Sequence, residues 1–135
     1  MCIRDRHNTL FIVNDDINLC EKVGADGIHL GQNDISINTA REQLGEKAII
    51  GASCYNDLQL AFEAETMSAD YVTFGALFNS TSKPTAIHCP LSVIKSAKEK
   101  LNIPIVGIGG ITFDNQRLAF ESGCDAVAML NGLFP

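Results

Sequence analysis

Short apolar runs alternate along this chain with segments whose apolar positions recur at helical spacing. Runs over 10–13, 27–30, 48–52, 71–77, 105–108 and 126–130 predict six strands. The intervening segments predict helices. Ile17 to Val23 can turn as a helix stopped by Gly24. Ser36 can cap a helix bearing Ile37, Ala40 and Leu44, with Gly45 as its end. Asn56 or Asp57 starts another that runs to about Met67. Pro90 suits the opening of a helix whose stripe is Leu91, Ile94, Ala97 and Leu101. Thr112 or Asp114 is expected to cap the last, which runs to about Ser122. The order is therefore βαβαβαβαβαβ. Strands that are apolar throughout are expected to be covered on both faces, as in a parallel α/β fold.

Composition narrows the function classes. The chain is 46% hydrophobic and 19% charged, so it should bury a core and is not disordered. A net charge of −6 argues against nucleic acid or an anionic membrane as partner. No apolar run approaches the ~18 residues of a membrane span. Five scattered cysteines (Cys2, Cys20, Cys54, Cys89, Cys124) form no CxxC pair. With no signal-like segment, they read as reduced thiols of a cytoplasmic protein. Residues 1–8 are charged and patternless, and are expected to be an unstructured tail or a scar outside a domain of 9–135.

Gly24-Ala25-Asp26, Ser68-Ala69-Asp70 and Gly123-Cys124-Asp125 recur at helix-to-strand turns. Their aspartates are expected to bond turn amides at the stable end of the sheet. The opposite, carboxyl ends of the strands carry Asn14-Asp15, Gln32 to Asp34, Ser53, the Ser80 to Lys83 loop, Gly109-Gly110 and Asn131. Each alone is an ordinary loop residue: Asp16 or Asn14 can cap a helix, and Lys83 can be a solvated charge. Converging, two acids, a lysine, hydroxyls and a Gly-Gly turn make a site for an anion and a divalent cation. His29 lies within a strand and is expected to be packed and hydrogen-bonded, and His88 to be a surface residue. No cysteine has a recognisable base partner. Either an open doubly wound sheet or part of an eight-stranded barrel fits. No G-x-G-x-x-G follows an early strand, and the late glycines 107, 109 and 110 match the phosphate loops of barrels.

The motifs FIVNDD, GADGIHLGQND, IIGAS, ADYVTFGALFNSTSKP, IPIVGIGGIT and GCDAVAML resemble, in order and spacing, those of the thiamine-phosphate synthase family. That resemblance implies a TIM barrel, incomplete here, with about six of eight βα units and the first two strands and the C-terminal helix missing. It implies a transferase that joins hydroxymethylpyrimidine diphosphate to thiazole phosphate, releasing pyrophosphate, with Mg²⁺. By position, Asp15 and Asp34 would hold the metal. Asn14, Ser53 and Lys83 would bind the pyrimidine diphosphate, Ser53 and Lys83 in catalytic roles. Ser80, Thr81, Ser82 and Gly110 would bind the thiazole phosphate, with Leu130 and Asn131 completing its cup. Ser80, Ser82 and Asn131 replace the family's usual threonines and serine. Six strands cannot close such a barrel, so the chain alone is expected to be poorly active, and exposed strand edges would favour self-association. The alternatives are a thiazole tautomerase-like paralogue, which should lack the acids and the lysine, and a non-catalytic phosphate-binding remnant.

Overall fold

The computed structural model describes residues 3–134. Six strands alternate with helices: β1 Ile12–Asn14, β2 Gly27–Leu30, β3 Ile49–Tyr55, β4 Tyr71–Phe74, β5 Ile105–Ile108 and β6 Ala126–Ala128. The helices are α1 Ile3–Arg6, α2 Ile17–Val23, α3 Ile37–Leu44, α4 Leu58–Thr66, α5 Leu91–Lys100 and α6 Gln116–Ser122. The strands form one sheet in the order β1-β2-β3-β4-β5-β6, and every adjacent pair is parallel. Among the described residues no helix is long and apolar enough to cross a membrane.

The expected caps explain most boundaries. Asp16 accepts the Leu19 N–H at 2.9 Å, Ser36 the Thr39 N–H at 3.0 Å, and Asp57 the Gln59 N–H at 2.8 Å. The last helix begins later than expected. Thr112 and Asn115 exchange side-chain to backbone bonds in a turn of their own, and α6 starts after it.

One face of the sheet packs on the helices. Leu30, Ala52, Val72 and Ile105 lie side by side in register on that face, all nearly inaccessible. Burial of each large member contributes roughly 1.5–3 kcal/mol. The opposite face is concave and differs from the expectation of two covered faces. Ile12, Ile49, Tyr71 and Val106 are only half-buried there, and Ile108 is 43% exposed. The buried residues of α2 to α6 belong to the core on the convex side, and the sheet curls around an open trough.

Strand boundaries moved too, and β1 runs over Ile12–Asn14 rather than 10–13. β3 continues through Tyr55, so Ser53 is inside the strand rather than beyond it. β4 ends at Phe74, and the next residue, Gly75, lies against the Ile108 carbonyl, where a Cβ would collide. β6 ends at Ala128, which leaves Leu130 in a turn whose carbonyl accepts from Leu133 and Phe134. Residues 3–6 make one helical turn, and Arg4 pairs with Asp26 and lies 5.4 Å over the Phe11 ring. Cys2 lies outside the described residues; Cys20, Cys54, Cys89 and Cys124 are free and buried.

The three repeated aspartates sit at the amino ends of β2, β4 and β6, as expected. Each bonds the neighbouring strand twice. The Asp26 N–H donates to Phe11 O, and Asp26 Oδ2 accepts the Phe11 N–H at 2.7 Å. Asp70 does the same with Ile50, and Asp125 with Ile105. Each also meets a cation: Arg4, Arg41 and Lys98 respectively. Arg41 additionally donates to the carbonyls of Gly45, Glu46, Ala48 and Ser68, which ties the end of α3 to two strands.

Candidate functional site

The carboxyl ends of the strands gather two clusters. The first spans β1, β2 and β3. Asp15 follows β1 with φ 66, a left-handed conformation that Asp tolerates better than most side chains. Its N–H donates to His29 O at 3.0 Å, which pins it to β2. Asp34 turns back on its own loop and accepts the Gly31 N–H at 2.6 Å. The two carboxyls are near enough to influence each other. The Asp15 carboxyl is held above its ordinary value, first by loss of water contact, then by a hydrogen bond and charge repulsion from Asp34. His29 and Lys83 oppose that rise by their positive charge. Since Asp15 remains an exposed residue, the Asp34 contact is the cause with structural weight. Asn14 stands exposed at the end of β1, opposite His29 in the register.

His29, Ser53 and Tyr71 form a chain across the trough. His29 Nδ1 lies 2.9 Å from the Tyr71 hydroxyl, and Nε2 lies 2.8 Å from Ser53 Oγ. The Gln32 side-chain amide donates to Ser53 O at 3.3 Å. Burial lowers the His29 pKa, against the pull of Asp15 and Asp34, and burial raises that of Tyr71. The packed histidine was legible from its place in a strand. Tyr71 was missed, because the partner of a strand residue depends on register, which a single sequence does not display.

The second cluster spans β4, β5 and β6. Asn131 Nδ2 donates to Thr81 Oγ1 and to Ser82 Oγ, each at 2.8 Å. Ser80 Oγ accepts the Lys83 N–H at 3.4 Å. Gly110 adopts φ 63 beneath this loop, where a Cβ would strike the carbonyls of Phe78 and Asn79. Asn115 holds that turn by donating to Gly110 O at 2.9 Å. A pocket of about 210 Å³ opens beside the loop, lined by Phe78, Ser80, Lys83, Pro84 and His88 among others. The structure thus brings Ser80, Thr81, Ser82, Gly110 and Asn131 to one place. Leu130 is 64% exposed at its margin. Lys83 is the link between clusters, through its charge on Asp15. Among the described residues no three His, Cys, Asp or Glu side chains gather to hold a metal. Two carboxylates with open positions remain, an all-oxygen donor pair of the type Mg²⁺ accepts.

A sequence-family model described as thiamine monophosphate synthase matches residues 2–133. The chain belongs to the thiamine monophosphate synthase family. The thiamine-phosphate synthase of Nitrosococcus oceani is 54% identical over 123 residues, 91% of this chain and 57% of that protein. The thiamine-phosphate synthase of Thioalkalivibrio sulfidiphilus is 48% identical over 130 residues, 96% of this chain and 62% of that protein. The solved thiamine phosphate pyrophosphorylase from Pyrococcus furiosus superposes with a TM-score of 0.82 at 37% identity, over 93% of this chain and 59% of that one. The chain therefore spans roughly three-fifths of the relatives it matches. Within that span, the parallel half-barrel is shared with the synthase family.

Proposed function

We propose that this chain carries the chemistry its relatives are named for, joining a pyrimidine diphosphate to thiazole phosphate with loss of pyrophosphate. The observation that carries the reading is the placement of Asp15 and Asp34 at the carboxyl ends of β1 and β2, within electrostatic reach of each other and of Lys83. Two adjacent carboxylates repel, and a divalent cation between them relieves the repulsion. Mg²⁺ fits this donor pair, and bound there it would supply positive charge to the diphosphate oxygens.

The side chains then divide the work. The C–O bond to diphosphate breaks with its electron pair leaving on oxygen, and Lys83 offsets the charge that builds there. Asn14 and Ser53 hold the pyrimidine diphosphate. The hydroxyls of Ser80, Thr81 and Ser82, the N–H groups around Gly110, and the turn at Leu130 and Asn131 hold the thiazole phosphate. The thiazole nitrogen then forms the new C–N bond, and no protein nucleophile takes part. We also propose that the six units belong to an eight-unit barrel, which the open trough and the shared length with the relatives support. In that barrel the trough is enclosed.

The reading is tested by calorimetric titration of inorganic pyrophosphate with and without Mg²⁺. Magnesium-dependent binding is expected in the unaltered chain and is expected to vanish in Asp15→Asn. Lys83→Ala should weaken it roughly tenfold, as for loss of one charge-assisted hydrogen bond. Binding that ignores magnesium and survives Asp15→Asn overturns the proposal.

A further inference from the structure

We propose that Tyr71 and His29 are positioning residues that turn the Ser53 hydroxyl into a fixed hydrogen-bond donor facing the trough. His29, Gly51 and Tyr71 occupy one register row on β2, β3 and β4. The middle position has no side chain, and a Cβ at Gly51 would strike the Tyr71 ring. That gap lets the outer two side chains meet above β3, their rings stacked with centroids 5.5 Å apart at 28°.

The hydroxyl directions follow from what each group can do. Among the described residues, His29 Nδ1 is the hydrogen-bond partner of the Tyr71 hydroxyl. A phenol is a strong donor and a poor acceptor, and a neutral imidazole nitrogen is a strong acceptor, so the Tyr71 hydroxyl donates to it. Donation to Nδ1 makes that nitrogen the acceptor and puts the ring proton on Nε2. Nε2–H then donates to Ser53 Oγ, 2.8 Å away. Ser53 cannot return its own hydrogen to Nε2. The hydrogen is free for an acceptor on the open side, and an anionic oxygen suits it. On the synthase reading, on which this last clause rests, that oxygen belongs to the substrate diphosphate. Reversed, the chain would aim a lone pair at the anion and repel it.

The ring proton is read without ligand, by nitrogen NMR of the chain labelled in histidine. The His29 signals are assigned by their loss in His29→Gln. Nε2 is expected to be pyrrole-type and Nδ1 pyridine-type. The reverse pattern, or two protonated nitrogens, overturns the proposal. In Ser53→Ala the pattern should persist, since Tyr71 sets it, and a switch there overturns it too. In Tyr71→Phe, which keeps the ring, the Nδ1–H form should appear, and an unchanged pattern removes Tyr71 from the chain of cause. Magnesium pyrophosphate should then bind at least roughly tenfold more weakly to Tyr71→Phe and to Ser53→Ala, the value of one hydrogen bond to a charged group. The double variant should lose no more than the worse single one. Fully additive losses overturn the coupling. Failure of pyrophosphate to bind the unaltered chain sinks the synthase reading instead, and the ring spectrum still decides the relay.

Discussion

Aspartates stand at both ends of this sheet, and their surroundings are opposite. At the amino ends, Asp26, Asp70 and Asp125 each accept a strand N–H and pair with a cation. At the carboxyl ends, Asp15 faces Asp34. One residue type thus serves cohesion in one place and stores repulsion in the other. The Asp125 carboxyl shows the contrast in its acidity. Burial alone would raise its pKa, but the Lys98 ammonium and the Ile105 N–H outweigh that and hold it low. Asp15 is held high. A carboxylate that its neighbours do not want is one that a cation can be asked to stabilise.

Substitutions at the two ends should therefore differ in sign. The largest loss is expected for Arg41→Ala, whose side chain is only 13% exposed and bonds four carbonyls as well as Asp70. About 2–3 kcal/mol should disappear from the unfolding free energy in urea. Asp70→Ala, which strips the Ile50 N–H of its acceptor, should cost about 2 kcal/mol by the same measurement. A cost under ~0.5 kcal/mol for both would mean the amino-end anchors are ornamental. Asp15→Asn should behave in the opposite way. Asn accepts the left-handed backbone and removes the repulsion, so the metal-free chain should unfold at slightly higher urea than the unaltered one.

Titration sharpens the same contrast. Asp125 is depressed in the folded state, so its contribution is present above the ordinary value of 3.8 and is lost as pH falls through the folded value. Asp15 is raised, so its penalty is absent below 3.8 and is complete only once pH has risen past the folded value. In urea midpoints measured against pH, Asp125→Asn should flatten the acid side. Asp15→Asn should lift the side above it. The smallest effect belongs to Lys98→Ala. Its exposed pair with Asp125 should be worth about 0.5 kcal/mol, and less in high salt.

The amino-end half of this comparison was legible in the sequence, because a small residue followed by aspartate recurs at three helix-to-strand turns. So were the alternation of strand and helix and the caps at Asp16, Ser36 and Asp57, which depend on neighbours in sequence. The carboxyl-end half was legible only as a set of residue types. Which of them touch depends on how neighbouring strands align. Tyr71 looked like an ordinary strand opener until the register set it two strands from His29 with Gly51 between. Ser53 looked like a loop residue because β3 was ended at Ala52, where the apolar run stops, although the pairing continues to Tyr55. The turn at residues 3–6 was invisible for a different reason. Four residues carry no period, and what holds them is Arg4 on Asp26, a partner 22 positions away.

The strands lie in the sheet in the order in which the chain is made. Each strand can dock on one already laid down, without waiting for a distant segment to emerge from the ribosome. Growth of that kind keeps the entropy lost at every docking step small, and at any moment exposes just the advancing rim.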